Sequence, residues 1–203
     1  MKIICVGRNY PRHIKELVNQ RPESPVIFIK PDTSLLQKNN PFFIPDFSRL
    51  INYELELLVK INRIGKYIQP KFAFKYYREI GLGIDFTARD IQQQLKEKGL
   101  PWEKAKGFDG SALIGEWFDK SNFEDINKLD FHLLKNGMVT QSGNSSQMIW
   151  KIDELISEIS KFFTLKIGDI IFTGTPEGVG DVQEDDLLEG FLMNEKAFSI
   201  KIK

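Results

Sequence analysis

Two glutamates one residue apart, Glu54 and Glu56, stand in the stretch INYELELLVKI, and Asp85 closes the apolar run GLGID. On an extended strand, residues i and i+2 share a face, so the two glutamates project together. Like charges held side by side repel unless something positive lies between them. A hard divalent cation meets that need, and a third carboxylate from elsewhere would complete its protein shell. Taken alone, Glu-x-Glu is more often the mark of a half-exposed strand, with Tyr53, Leu55, Leu57, Val59 and Ile61 buried and the glutamates in water. An acid at the end of an apolar strand needs a cation, a donor or a proton. Asp85 fits that description, or it serves as a cap for the helix that follows.

His13 and Glu16 are spaced i,i+3 on a short helix, where Glu16 can orient the imidazole and raise its basicity. Such a pair could take a proton from water or from a substrate carbon, or it could be a surface contact. Arg89 and Gln92 share a helix face by the same spacing. Arg89 could fork onto a ligand carboxylate or pair with a structural acid. His132, the other of the two histidines, has no acidic neighbour and reads as structural. The run TGTPEGVG, residues 173–180, lacks the Gly-Lys-Ser/Thr ending of a phosphate loop and no helical pattern follows it, so nucleotide binding is rejected. Its glycines suggest backbone brought close to a ligand or another segment, with Thr175 available as a donor.

The elements that must position these groups are mostly strands. Strands are expected at 2–6, 26–30, 53–61, 80–86 and 170–173, with a final alternating strand in the tail. Phe131 to Lys135, then Asn136-Gly137, then Met138 to Gln141 is the strongest hairpin signal. Asn9 can cap a helix over 11–19. A second helix is expected at 71–79. A third, over 88–98, has Thr87 as cap, Asp90 at the capping-box position and Gly99 as its stop. Ile149, Ile152, Leu155, Ile156, Ile159 and Phe163 recur at helical spacing, predicting an amphipathic helix over 148–162. Strands outnumber helices without regular alternation, which points to a mixed α+β, mainly β fold.

Bulk properties narrow the class. At 203 residues the chain can bury a large core, and one continuous domain over 1–203 is the simplest reading. Lys plus Arg equals Asp plus Glu at 28 each, so no basic field argues for nucleic acid or an anionic membrane. The apolar run in MKIICVGRNY is too short for a signal peptide or a spanning helix. The single cysteine, Cys5, excludes an intrachain disulfide, fits a reducing cytoplasm and reads as a packed thiol.

The motifs CVGRNYPRHIKEL, PVIFIKP, NYELEL, GIDFTARDIQ, AKGFDGSALIGEW, QSGNSSQMIW and LKIGDIIFTGTPEGVG follow one another over nearly the whole chain. Together they resemble the fumarylacetoacetate hydrolase family, in particular its small acylpyruvase, oxaloacetate decarboxylase and hydroxyheptadienedioate isomerase branch. The resemblance implies a β-roll with a few short helices, usually dimeric, and hence a homodimer. It implies that Glu54, Glu56 and Asp85 bind a divalent ion, normally Mg2+, with Mn2+ also suited to such oxygen ligands. It makes His13 and Glu16 a water-activating dyad and gives Lys106 the task of contacting the ligand or offsetting negative charge. Arg89 and Gln92 would orient the substrate, Thr175 would hold its carboxylate or a water, and Arg8 and Lys30 would line the pocket.

The resemblance also implies a small 2-oxo acid as substrate. The metal would act as a Lewis acid stabilising an enolate. Three outcomes share that platform: hydrolysis of a C–C bond in an acylpyruvate, decarboxylation of oxaloacetate, and isomerisation of a dienedioate or enol by proton transfer alone. Hydrolysis or decarboxylation leads, isomerisation or tautomerisation is the alternative, and a metal-binding protein without turnover is the remaining one. The chain departs from the family pattern at Asn52, where histidine is usual, at Glu116 in place of proline, and at Asp185 in place of glycine.

Overall fold

Runs rich in Ile, Val, Leu and Phe favour extended backbone, and the structure, a computed structural model describing every residue except Asn19 and Asn39, is mainly β. In chain order the first half comprises β1 (Ile3–Gly7), α1 (Pro11–Glu16), β2 (Val26–Lys30), β3 (Ile51–Tyr53), β4 (Leu55–Ile61), α2 (Pro70–Ala73), β5 (Tyr77–Asp85), β6 (Thr87–Ala88) and α3 (Arg89–Glu97). Then come α4 (Glu103–Lys106), β7 (Ala112–Asp119), β8 (Asp130–Lys135), β9 (Met138–Asn144), α5 (Ile152–Phe162), β10 (Ile170–Phe172), β11 (Gly180–Asp181), β12 (Leu187–Leu192) and β13 (Glu195–Lys201).

Among the described residues three sheets result. The largest has the order β2-β1-β10-β4-β5-β7, with β1 parallel to β10 and the other neighbours antiparallel. A four-stranded antiparallel sheet runs β13-β12-β8-β9, and a small one runs β11-β3-β6. Residues of both β4 faces are buried, from Leu55 to Val59. Helix α5 lays Ile152, Leu155, Ile156 and Ile159 into the apolar cluster that holds Leu55, Leu57 and Val59. Each such side chain contributes about 1.5–3 kcal/mol by leaving water.

The segment expected as one strand over 53–61 breaks at Glu54. On its N-terminal side β3 belongs to the small sheet; on its C-terminal side β4 belongs to the large one. Its neighbour makes the same crossing: β5 ends at Asp85 and β6 resumes in the small sheet. The two crossings are tied together by the Asp85 N–H, which donates to the Glu54 carbonyl at 2.9 Å. Glu54 and Asp85 therefore occupy one corner between two sheets.

Several local expectations give way to tertiary demands. The helix expected at 71–79 is only the turn α2, because the chain from Tyr77 pairs with β4, Glu79 lying opposite Lys60. Asn9 caps nothing: Tyr10 is the first flanking residue of α1, and the Asn9 carboxamide bonds Thr173 O, Trp150 O and Trp150 N. Helix α1 ends at Glu16, short of the expected 19, and Asn19 lies outside the described residues. Thr87 does not cap α3 either, since it is taken into β6, and Asp90 bonds Ser48 Oγ and the Arg49 N–H instead of closing a capping box. Helix α5 starts at Ile152, because Ile149 N–H is drawn to the Asn9 carbonyl. Where the demand is local, the expectation holds: Asn136 at φ +53° and Gly137 at φ +81° form the two-residue turn of the β8–β9 hairpin, and Gly99 at φ +62° follows α3.

Candidate active site

The sheet corner brings Glu54, Glu56 and Asp85 together. All three are buried, and one carboxylate oxygen from each lies within 4.8 Å of the others. The alternative of glutamates facing water is thereby excluded. Lys106, at the end of α4, reaches into the cluster and is itself buried. Its ammonium donates to Glu54 Oε2 at 2.8 Å, to Asp85 Oδ2 at 2.8 Å and to Thr87 Oγ1 at 2.6 Å. Burial by itself would push Lys106 toward neutrality, but the charges of Asp85 and Glu54 override it and hold its pKa above the ordinary lysine value.

The three acids are not equivalent. Burial would raise the pKa of Glu54, yet Lys106, Arg89 and His13 override it, so Glu54 stays ionised well below the usual range. Glu56 is pushed well up, by burial first and then by the charges of Asp85 and Glu54. Its one hydrogen bond among the described residues comes from the Gly174 N–H at 2.7 Å, and none of the described cations forms an ion pair with it. Asp85 Oδ1 is buried and accepts no hydrogen bond from the described residues. Lys30 Nζ lies 2.8 Å from it, an ionic contact without hydrogen-bond alignment.

Arg89 lies at the start of α3 and spends its fork on three partners: Nε donates to Asn52 Oδ1 at 2.7 Å, one terminal nitrogen to Gln92 Oε1 at 2.6 Å, and the other to Glu54 Oε1. Asn52, the departure from the family pattern, thus orients this guanidinium. On α1, His13 Nδ1 is 2.9 Å from Glu16 Oε2, and the other Glu16 oxygen accepts from the Gly178 N–H at 2.9 Å. The 173–180 run, rejected as a phosphate loop, therefore supplies backbone donors to two acids, at Gly174 and Gly178. Both glycines are required. Gly174 has φ +99° and Gly178 φ +92°, and a Cβ on Gly178 would stand 2.4 Å from the Thr140 carbonyl.

One cavity of about 40 Å³ is lined among others by Arg8, His13, Glu54, Glu56, Asp85 and Lys106, with Arg89, Gln92 and Thr175 also in its wall, while Glu16 and Asn52 stand behind His13 and Arg89. Phe28, Lys96 and Trp102 line it too. Arg8 reaches the wall from a left-handed backbone, φ +59°, directly after β1. Lys30 was expected in the lining and is not there. It is fully buried behind Asp85, where its ammonium also bonds the Lys106 carbonyl and Ser111 Oγ, because β2 is the sheet edge that α4 covers. Cavity size alone is a poor guide here: a cleft of about 830 Å³ beside Phe118, Phe123 and Met193 has no histidine and no buried charge in its wall.

Thr87 and Gln141 escaped the sequence reading. Thr87 carried a cap signal that concealed its hydroxyl; Gln141 was only the end of a hairpin. His132 stacks on Phe191 at 4.9 Å, away from the cavity, and Cys5 is packed among Ile3, Leu58 and Phe172. Of the other departures, Glu116 pairs with Lys38 on the surface, and Asp185 holds a φ of +70°, a conformation in which glycine is at no disadvantage.

Comparison with known proteins agrees with this architecture. The sequence profile described as fumarylacetoacetate (FAA) hydrolase C-terminal matches residues 2–198. The mitochondrial oxaloacetate tautomerase FAHD1 of Bos taurus is 38% identical, over 99% of this chain and 91% of its own. The oxaloacetate tautomerase YcgM of Escherichia coli K12 is 42% identical, over 92% of this chain and 86% of its own. Among solved structures, fumarylpyruvate hydrolase from Pseudomonas aeruginosa, in complex with Mn2+ and pyruvate, superposes with a TM-score of 0.92 at 32% identity, covering 100% of this chain and 89% of that one. The chain belongs to the fumarylacetoacetate hydrolase family.

Proposed function

We propose that this enzyme depends on a divalent cation and interconverts the keto and enol forms of a small 2-oxo acid of the oxaloacetate type. The observation that carries the reading is the convergence of three buried carboxylates, the Lys106 ammonium and His13, itself bonded to Glu16, on one cavity. The names of two relatives, both oxaloacetate tautomerases, favour tautomerisation over the bond-breaking reactions.

Glu54, Glu56 and Asp85 would hold the cation. They fit it: the donors are all oxygen, as Mg2+ and Mn2+ prefer, and the buried Asp85 Oδ1 accepts no hydrogen bond from the described residues. Glu56 has no ion-pair partner among the described residues. Bound there, the cation supplies Lewis acidity to the 2-oxo group.

The chain's own residues account for the rest. With Glu16 ionised, the tautomer assigned to His13 carries its proton on Nδ1 and leaves Nε2 as the proton acceptor. His13 takes a proton from C3 of the keto acid and returns it to the 2-oxo oxygen, so a C–H bond breaks, an O–H bond forms and no atom is lost. Lys106, kept charged by Asp85 and Glu54, offsets the negative charge of the enolate between those steps. Arg8, Gln92 and Thr175 bind the substrate's carboxylate groups, Arg89 joins them through the two guanidinium N–H groups that Asn52, Gln92 and Glu54 leave, and Lys30 fixes Asp85 from behind.

Hydrolysis of an acylpyruvate is the second reading. It uses His13 Nε2 to activate water, and the name of the Pseudomonas aeruginosa neighbour favours it. Oxaloacetate decarboxylation draws on the same enolate. The test is mass-spectrometric and absorbance analysis of oxaloacetate and acylpyruvates, with the protein first chelated and then given Mg2+ or Mn2+. Cation-dependent decay of the oxaloacetate enol band without mass change is expected; cleavage of an acylpyruvate would promote the second reading, and no acceleration of any of these would overturn both. We carry a homodimer within this proposal, checked by a solution mass of twice the 23.5 kDa chain, and a reducing cytoplasm as its location.

A further inference from the structure

Gln141 lies on β9, in a different sheet from the carboxylates, and its side chain is almost wholly buried at 1% exposure. Its carboxamide oxygen accepts from the Leu55 N–H at 2.9 Å. Its nitrogen donates to Thr175 Oγ1 at 2.9 Å and to the Pro176 carbonyl at 3.1 Å. The orientation of the amide is unambiguous, because a backbone N–H only donates and a prolyl carbonyl only accepts. Both amide protons are therefore committed.

Two consequences follow for the site. Leu55 is the residue between Glu54 and Glu56, at the point where the chain leaves one sheet for another. The Gln141 oxygen satisfies the amide that this crossing frees from its ladder. Thr175, in turn, must accept the Gln141 proton, so its own O–H points elsewhere. Thr175 is 3% exposed, lines the cavity, and its hydroxyl donates to no described residue. A buried hydroxyl with its acceptor side occupied and its proton unclaimed is a donor aimed at the cavity contents.

We propose that Gln141 is a positioning residue. It fixes the Thr175 hydroxyl as a hydrogen-bond donor toward an anionic oxygen of the ligand, and it pins the backbone that carries the Glu54–Glu56 pair. This rests on the functional reading above for the ligand, a 2-oxo carboxylate. The close packing of Gln141 against the glycine run supports the rigidity required: a Cβ on Gly178 would meet Gln141 Cγ at 3.3 Å.

The test measures pyruvate binding to the Mn2+-loaded protein by calorimetry, beside the Mn2+ affinity itself, in a Gln141 and Thr175 double-mutant cycle. Gln141→Glu replaces the obligate donor with an acceptor that captures the Thr175 proton. Gln141→Met removes both the donor and the acceptor of the Leu55 N–H without adding charge. Each should weaken pyruvate binding roughly 10- to 100-fold, the worth of one hydrogen bond to a charged group, while Mn2+ affinity changes about threefold or less in Gln141→Glu, which keeps an acceptor for the Leu55 N–H, and falls further in Gln141→Met, which does not. In a Thr175→Val background neither should weaken pyruvate further, and Thr175→Ser should restore wild-type binding.

Losses that add in the cycle, or losses confined to Mn2+ affinity, would overturn the role. Failure of the wild-type protein to bind pyruvate would overturn the functional reading and this inference with it; binding by the wild type with additive losses overturns this inference alone. Should neither Gln141 variant fold, amide exchange in the wild-type protein decides the matter. Both Gln141 side-chain protons should be strongly protected, and exchange at the rate of a solvent-exposed amide would refute the clamp.

Discussion

Glu56→Gln separates a cation site from a self-sufficient network of buried ion pairs. In the metal-free protein Glu56 is a buried carboxylate facing Asp85 and Glu54, and the charge of Lys106 and the Gly174 N–H support its ionised form without outweighing burial and repulsion. Glutamine keeps the shape and can still accept from Gly174, but removes the repulsion. A carboxyl whose folded pKa is raised costs the folded state stability at neutral pH, so metal-free Glu56→Gln should melt above the metal-free wild type at pH 7. The folded carboxyl binds its proton more tightly than the unfolded one, so the wild type should close that gap as pH falls toward the ordinary carboxylate range.

The order reverses when cation is added. Mn2+ at about 100 times its Kd should stabilise the wild type by about 2.7 kcal/mol, a rise of about 5–10 °C. The variant should gain almost nothing and lose turnover. Differential scanning calorimetry with and without chelator reads all four states. An equal Mn2+ shift in both proteins, or a metal-free variant less stable than the wild type, would refute the reasoning.

Glu16→Gln leaves one carboxamide oxygen to serve both His13 and the Gly178 N–H, so steady-state kinetics should show kcat down by about 10²-fold or more with KM little changed. Lys30→Met removes the rear ion contact of Asp85 and leaves it paired with Lys106, and calorimetry should record a loss of about 1–3 kcal/mol, the cost of an unmet buried polar contact. Asp119 is held down to about 2 by the Ser121 N–H, then by Arg78 and the Ser121 hydroxyl. Its folded pKa lies below the unfolded value, so its contribution is present above the ordinary aspartate range and lost as pH falls through about 2. A carboxyl titration by NMR with a midpoint near the normal aspartate value would contradict that geometry.

Local chemistry was readable from the sequence wherever the physics is local. The i,i+3 spacing of His13 and Glu16 places them together on any helix, and Asn136-Gly137 supplies the positive φ angles that a tight hairpin needs. The i,i+2 spacing of Glu54 and Glu56 likewise brings them together, although the chain does not form one continuous strand there. Local signals also misled, and for one reason. Asn9 and Thr87 both carry cap chemistry, yet each side chain found partners far away in sequence, Trp150 and Thr173 for one and Lys106 for the other.

Tertiary structure decided what those local pairs face. Asp85 joins Glu54 because two neighbouring strands cross between sheets at the same level, and strand register, which no single run encodes, fixes that coincidence. The same crossing frees the Leu55 amide for Gln141, and the close approach permitted by Gly174 and Gly178 delivers their N–H groups to Glu56 and Glu16. Lys30 shows the limit from the other side: its charge was visible in the sequence, but only the packing of β2 under α4 turned it away from the cavity and toward the back of Asp85. The sequence by itself named the acids, the base and their local pairing. The fold chose which of them converge and which stand behind, because the contacts that place them span dozens of residues and depend on how sheets meet.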